Sequence, residues 1–344
     1  MVDPGEGCDD GNEIDADGCN RDCTVSGSVL WTLELPGVSV THIAVDAMDQ
    51  LHVLGLRDDD GIEHVVVDPD GTQLSQETLD VPVDAPEGTT DVDRGLHGFG
   101  LTPDGGLVYS LSDAYFGDAG LLDARFQVRS EDPTWSQVWG LDGTRVFIGV
   151  ADDGGVFGMG ETFYAFGNDG SVVATGPGTN ARIVLPDPQG VAMVGREIAF
   201  YTPQGEVLWT TDWPSGVLTG IVAAERMPGG DVVVLGEAGE DILRARQIRL
   251  ARYEPGGTEV SSWMWPETPG DAGPGYHALA VTPEAHIAFA GGQGDETFLW
   301  KLDEDYETRW RVALPHIVFP EALVSDSAGA LLFLSGGIVG KFAP

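Results

Sequence analysis

The sequence predicts an all-β chain, a seven-bladed β-propeller of four-stranded antiparallel blades closed into a ring. Three observations predict it. First, a strand–turn–strand phrase, Ile43-Ala-Val-Asp-Ala-Met-Asp-Gln-Leu-His-Val-Leu-Gly55, recurs from Phe99, Ile148, Ile183, Ile221, Leu279 and Ala322, at spacings of 56, 49, 35, 38, 58 and 43 residues. Periods of this size with this content mark propellers and related repeat arrays. Second, each copy is followed by another hairpin, such as His64-Val-Val-Val-Asp-Pro-Asp-Gly-Thr-Gln-Leu-Ser75. Third, residues 28–36 carry a tryptophan phrase that returns at 206–214 and 307–315, with Trp31, Trp209 and Trp310 each five residues before a proline.

Each unit therefore reads as four strands, A to D. Asp-Gly, Gln-Gly and Gly-Gly stand at the tips because tight hairpin turns need positive φ. The flanking Val, Ile, Phe and Tyr suit a pleated surface. The last unit, from Ala322 to Pro344, supplies strands A, B and C only. The first tryptophan phrase is an orphan that lacks its preceding strands. Pairing residues 28–36 with the last unit answers both gaps and leaves no open seam between the ends of the ring. The predicted domains are a leader, 1–27, and a propeller, 28–344. The tryptophans are expected to dock on neighbouring blades, and a buried Trp31 would cost about 3–5 kcal/mol on truncation to Ala.

Fifty-six acidic residues stand against 17 basic ones, a formal net charge of −39. Such a surface repels nucleic acid and anionic headgroups. It serves solvation in a salty medium; cation binding is the sharper alternative. No run of about 18 apolar residues exists to form a spanning helix. The chain is expected to be a monomer without a transmembrane segment.

All three cysteines, Cys8, Cys19 and Cys23, lie in the leader. A short Gly/Asp-rich segment with clustered cysteines suggests a disulfide-stapled module of an oxidising compartment. Asp9, Asp10, Asn12, Asp15 and Asp17 are oxygen donors of the kind that binds Ca²⁺, although they do not follow the EF-hand order. The same residues also serve plain turns. The segment Cys8-Asp9-Asp10-Gly11-Asn12, followed by Asp17-Gly18-Cys19 and then Cys23, resembles the Myxococcus cysteine-rich repeat of secreted and surface proteins of myxobacteria. The resemblance implies export to the outer surface or the medium. The repeat's first cysteine would fall a few residues before Met1, so the odd cysteine count reads as a partner upstream. Pro203-Gln-Gly-Glu-Val-Leu-Trp-Thr210 is similar to the tryptophan repeats of quinoprotein-like propellers. That similarity covers one or two blades and carries no cofactor chemistry with it.

No Gly-x-Ser-x-Gly elbow, phosphate loop or His-Glu-x-x-His occurs, and these are the motifs that announce common chemistries. The long connections, 57–63, 80–97, 112–120, 236–247, 266–277 and 291–296, all fall on the D–A/B–C face. Loops on a rigid scaffold carry binding functions. His42, His97 and His277 are placed one or two residues before their A strands, and His316 six before, around the channel mouth on that face. With Asp93, Tyr276 or Glu321 they form a candidate ligand site, for Zn, Cu or Fe if the imidazoles converge. Hydrogen-bonded strand-end histidines are the plainer alternative. The reading is an exported binding module for a protein, glycan or small molecule. The alternative is a metal-dependent hydrolase or oxidoreductase at the channel mouth.

Overall fold

The computed structural model describes residues 25–344, apart from 82–84, 119, 132–133, 140–144, 180, 188–189, 196, 214–220, 239–246, 265–275, 294–295 and 315–319. For a few strand-end residues, Tyr276 and His277 among them, only the backbone is described.

Strand β1 (Val29–Glu34) opens the described chain. Blade 1 is β2 (Val38–Val45), β3 (Leu51–Arg57), β4 (Ile62–Val67) and β5 (Gln73–Leu79). Blade 2 is β6 (Asp91–Leu101), β7 (Leu107–Gly117), β8 (Gly120–Glu131) and β9 (Thr134–Trp139). Blade 3 is β10 (Phe147–Val150), β11 (Val156–Met159), β12 (Thr162–Phe166) and β13 (Val172–Pro177). Blade 4 is β14 (Ile183–Asp187), β15 (Gly190–Val194), β16 (Glu197–Tyr201) and β17 (Val207–Asp212). Blade 5 is β18 (Ile221–Arg226), β19 (Val232–Ala238), β20 (Gln247–Tyr253) and β21 (Glu259–Met264). Blade 6 is β22 (Tyr276–Val281), β23 (Ile287–Gln293), β24 (Glu296–Leu302) and β25 (Thr308–Leu314). Blade 7 is β26 (Ala322–Ser325), β27 (Leu331–Ser335) and β28 (Ile338–Phe342), completed by β1.

The N-terminal strand thus closes the ring. Thr32 pairs with Gly340, Leu33 with Val339 and Glu34 with Ile338, all antiparallel. Pairing reaches further back than the sequence suggested. Gly27 N–H donates to the Ala343 carbonyl at 3.0 Å, and Ala343 N–H to that of Ser28 at 2.8 Å. Residues 25–27 therefore join the ring rather than the leader.

The core lies between blades. Leu51, Val53 and Val65 of blade 1 pack on Leu332 and Leu334 of blade 7. On the opposite face of the same strands, Leu54 and Ile62 pack on Leu96 and Tyr109 of blade 2. Both faces of each blade are apolar because each is buried by a neighbour, while alternate residues along a strand serve opposite interfaces.

Tryptophans fasten four of these interfaces. Trp31 of blade 7 lies over Gly71, and its Nε1 donates to the Pro69 carbonyl at 3.0 Å. Trp209 of blade 4 lies over Gly257 and donates to the Pro255 carbonyl at 2.6 Å. The Trp310 ring likewise lies over Gly27 and the Trp135 ring over Gly170. In each case the glycine is the one entering strand D of the next blade. Trp31 is half-buried rather than buried, so truncation to Ala is expected to cost about 2 kcal/mol, less than a fully buried indole.

Gly71 has φ +89° and an added Cβ would stand 2.7 Å from the Trp31 ring, whereas Gly105 has φ +82° and faces open space. Gly105→Ala is expected to cost about 1 kcal/mol for the left-handed backbone. Gly71→Ala should cost about 2 kcal/mol more, from overpacking. Urea midpoints of the two variants measure the difference, which is the tryptophan contact.

The structure also corrects two loops. Residues 91–97 lie in β6, and 112–117 continue β7. Blade 2 therefore stands above its neighbours as a long hairpin, with Gly117 paired to Gly120.

Candidate functional site

The A strands begin on the D–A/B–C face, and four of them share an irregularity there. Registers shift between Val40 and His42, Leu96 and Gly98, Ile221 and Ala223, and Tyr276 and Ala278. Each shift is a bulge with one extra residue: Thr41, His97, Val222 and His277. Bulges re-aim side chains out of the alternating pattern. His42, His97 and His277 therefore lie inside their strands, not before them. The strands start earlier than expected because pairing resumes beyond the bulge, as Val38–Arg57 and Val40–Gly55 show.

The structure brings two of the candidate histidines together. The His42 imidazole bonds to the backbone of His97 across the blade 1–blade 2 boundary. Its Nδ1 lies 2.9 Å from Thr41 Oγ1. His97 Nε2 lies 2.7 Å from Ser112 Oγ, and its ring meets Phe147 edge-on at 6.0 Å. Burial, and then the facing His97 ring, push His42 down to about 4. Burial, and then the charge of Arg145, push His97 down to about 4 as well. Both rings are neutral at neutral pH. Across the ring, on β18, burial pushes the Glu225 carboxyl up to about 7.

The Ser112–His97 contact has the distance of a hydroxyl and its base, but a base this weak draws a proton poorly at neutral pH. Neutral imidazole is also the metal-ligating form. Two such ligands are half of a tetrahedral set. Among the described residues, no group of three or more His, Cys, Asp or Glu is placed to hold a metal ion. Asp93 on β6 is exposed, and so is Glu321 just before β26. Tyr276 and His277 are fixed by their backbone only. His316, the five acidic-loop residues Asp9, Asp10, Asn12, Asp15 and Asp17, and Cys8, Cys19 and Cys23 lie outside the described residues.

The two lowered histidines give a pH dependence with a definite sign. Unfolded, each takes a proton near 6.5, while the folded protein resists until about 4. The unfolded state thus binds more protons in that window. Stability is full above pH 6.5 and is lost on acidification toward pH 4. Urea titrations at about pH 7 and about pH 5 are expected to show this loss, which should shrink in His42→Gln and His97→Gln.

Beside this pair, residues the sequence reading passed over shape a cleft. Arg94 on β6 sits with Asp113 on β7 in a bidentate pair, Nε to Oδ1 at 2.6 Å and Nη2 to Oδ2 at 3.2 Å. Both side chains are buried, at 3% and 0% exposure. Gln127 Nε2 also donates to Asp113, at 3.2 Å. Arg94 Nη1 reaches the Asp60 carbonyl at 3.0 Å and so pins the B–C loop of blade 1 to blade 2. Above this anchor opens a cleft of about 450 Å³, lined by Asp59, Asp60, Thr78, Asp80, Val92 and Arg94. Arg94 is neutralised by Asp113, and Asp59 is paired with Arg57 at 3.1 Å, so Asp60 and Asp80 make the rim net acidic.

Comparison with known proteins shows the fold and no family. Virginiamycin B lyase from Staphylococcus aureus superposes with a TM-score of 0.61 at 12% identity, covering 91% of this chain and 98% of the lyase. The WD40 β-propeller domain of Doa1 gives 0.55 at 12% identity, covering 92% of this chain and 96% of that domain. Drosophila Plexin A, solved in complex with Semaphorin 1b, gives 0.51 at 9% identity, covering 92% of this chain and 87% of the plexin chain. No family model and no curated protein sequence matches the chain. Superposition at identities this low shows a shared fold alone, and fold alone does not assign activity.

Proposed function

We propose that the protein is an exported binding module, held at the cell surface or released outside the cell, that engages its partner through the D–A/B–C face. The observation that carries this reading is the cleft between blades 1 and 2. Its loops are fixed from below by the buried Arg94–Asp113 pair and its bond to Asp60. A preformed concave site on a rigid scaffold binds without first ordering itself. The acidic rim favours a partner that presents basic groups, and it raises association rate and selectivity more than affinity. The cysteine-rich leader and its likeness to a secreted repeat support export. The relatives of this fold that hold protein partners, such as the plexin solved with a semaphorin, fit the same reading.

A synthetic peptide array of graded basic content tests it, read with the full chain. Binding to basic peptides should fall at least about tenfold in Asp59→Lys/Asp80→Lys. It should persist in Asp104→Lys/Asp153→Lys, which places the same charge change on the opposite face. Equal loss in both variants would show a general charge effect and rule out the cleft as the binding site. Fractionation of producing cells tests the location: protein confined to the cytoplasm would contradict export.

A further inference from the structure

Blade 1 carries a second group of titratable side chains, away from the cleft and from the channel mouth. Four of them form one row across the sheet. Asp46 follows β2, His52 is on β3, His64 on β4 and Glu77 on β5. Asp46 Oδ2 lies 3.4 Å from His52 Nε2, His52 Nδ1 lies 3.1 Å from His64 Nε2, and His64 Nδ1 lies 3.1 Å from Glu77 Oε1. The imidazoles are 7% and 5% exposed. Their ring centres stand 5.2 Å apart with planes 25° from parallel. That spacing is too wide for face-to-face overlap and suits two rings meeting nitrogen to nitrogen.

Proton counting decides what this row holds. Asp46 is fixed as an acceptor, because its other oxygen, Oδ1, already takes the N–H groups of Met48 and Gln50 at 2.8 Å each. Glu77, with its side chain 60% exposed, is the carboxylate at the outer end. A carboxylate accepts only, and a neutral imidazole has one N–H and one lone pair. Three contacts need three protons, and two neutral rings supply two. If each ring donates outward to its carboxylate, the two inner nitrogens face each other lone pair to lone pair. An unpaired contact of that kind, buried at 3.1 Å, is costly.

We propose that the Asp46–His52–His64–Glu77 row is a proton-binding site that holds one positive charge shared by the two imidazoles, and that it clamps the outer strand of blade 1 in a pH-dependent way. The added proton turns the central repulsion into a charge-assisted hydrogen bond between the rings. Two carboxylates flank the single cation, so the row is electrostatically favourable for one proton and not for two. Burial, and then the neighbouring His64, push His52 down, and its contact with the Asp46 carboxylate works the other way. Loss of the proton above neutral pH leaves two arrangements. Either the inner nitrogens face each other lone pair to lone pair, or His64 donates to His52 and turns its Nδ1 lone pair toward the Glu77 carboxylate. The second releases the exposed Glu77, so the row opens at that end.

The groups facing the row from elsewhere do not replace that proton. The row lies on the face of blade 1 that packs against blade 2, as Leu54 and Ile62 of the same strands do. Over Gly98 to Leu101, β6 carries no ionisable side chain. Tyr109 of β7 packs on this face, but its hydroxyl is bonded to Glu131 at 2.6 Å, with Arg129 3.9 Å from that carboxylate. Asp104 stands on the A–B turn of blade 2 beyond.

Ring-nitrogen NMR of the uniformly ¹⁵N-labelled full chain, from about pH 5.5 to about pH 8.5, tests the proposal across the range in which histidine titrates. His52 and His64, assigned by loss of signals in His52→Gln and His64→Gln, should together show one imidazolium charge at neutral pH. They should release one proton jointly as pH rises. In either single variant the remaining ring should titrate alone, and Glu77→Gln should shift the joint release to lower pH. Two neutral rings throughout the range would overturn the proposal. So would a shift of both rings on adding equimolar zinc to the metal-free protein at neutral pH, which would make the pair a metal chelate instead. Should a variant fail to fold, through-bond correlation of each ring to its own assigned backbone amide identifies His52 and His64 in the wild type, whose titration then decides.

Discussion

Removing residues 1–36 is expected to destabilise the protein by about 5 kcal/mol or more, a large share of a domain's usual 5–15 kcal/mol. The cut takes away β1, and with it the ladder from Thr32–Gly340 to Glu34–Ile338. It also removes Leu35, which is buried between blades 7 and 1, and the Trp31 contact to Gly71. Strand β28 would become an open edge bearing unpaired N–H and C=O groups, a template for aggregation. Removing residues 1–24 leaves all of these in place and should cost little. Thermal unfolding and size-exclusion chromatography of the two truncations check the contrast. Equal stability would mean that β1 is an accessory rather than the seal of the ring.

Asp113→Ala is expected to cost about 3–5 kcal/mol, because it strands the buried Arg94 charge. The variant also leaves Gln127 Nε2 without its acceptor. The Arg94→Met/Asp113→Leu double variant should recover most of that loss, since an apolar pair of similar volume removes the charge along with its partner. It should nonetheless loosen the cleft, because the Arg94 bond to the Asp60 carbonyl goes with it. Urea unfolding of the single and double variants separates the two effects. A single variant within about 1 kcal/mol of the wild type would show that water reaches Arg94.

The ring was legible in the sequence because its signals are local. An Asp-Gly turn and its two flanking strands specify a hairpin within about a dozen residues, and the hairpin repeats. The Trp31, Trp209 and Trp310 phrase was readable through its fixed distance to a proline. Trp135 plays the same part against Gly170 but has no proline five residues on, so the pattern missed it. The site was less legible. His42 and His97 were assigned to strand starts because a bulge leaves no mark in hydrophobic alternation. Arg94 and Asp113 did leave a signal: each occupies an inward position in an alternating strand, next but one to Leu96 and to Leu111 and Tyr115. A charge at such a position implies a buried partner, but only the register between β6 and β7, which pairs Arg94 directly with Asp113, says which one. The meeting of His52 and His64 is likewise a matter of register, invisible until the strands are aligned.

Native-state amide hydrogen exchange of β1 tests the closed ring most directly. The ladder-bonded amides of Thr32 to Glu34 should exchange only with global unfolding, at the same free energy as their partners in β28. Fast exchange in β1 while β28 and β27 remain protected would show a strand that frays on its own, and would contradict a ring sealed by its N-terminus.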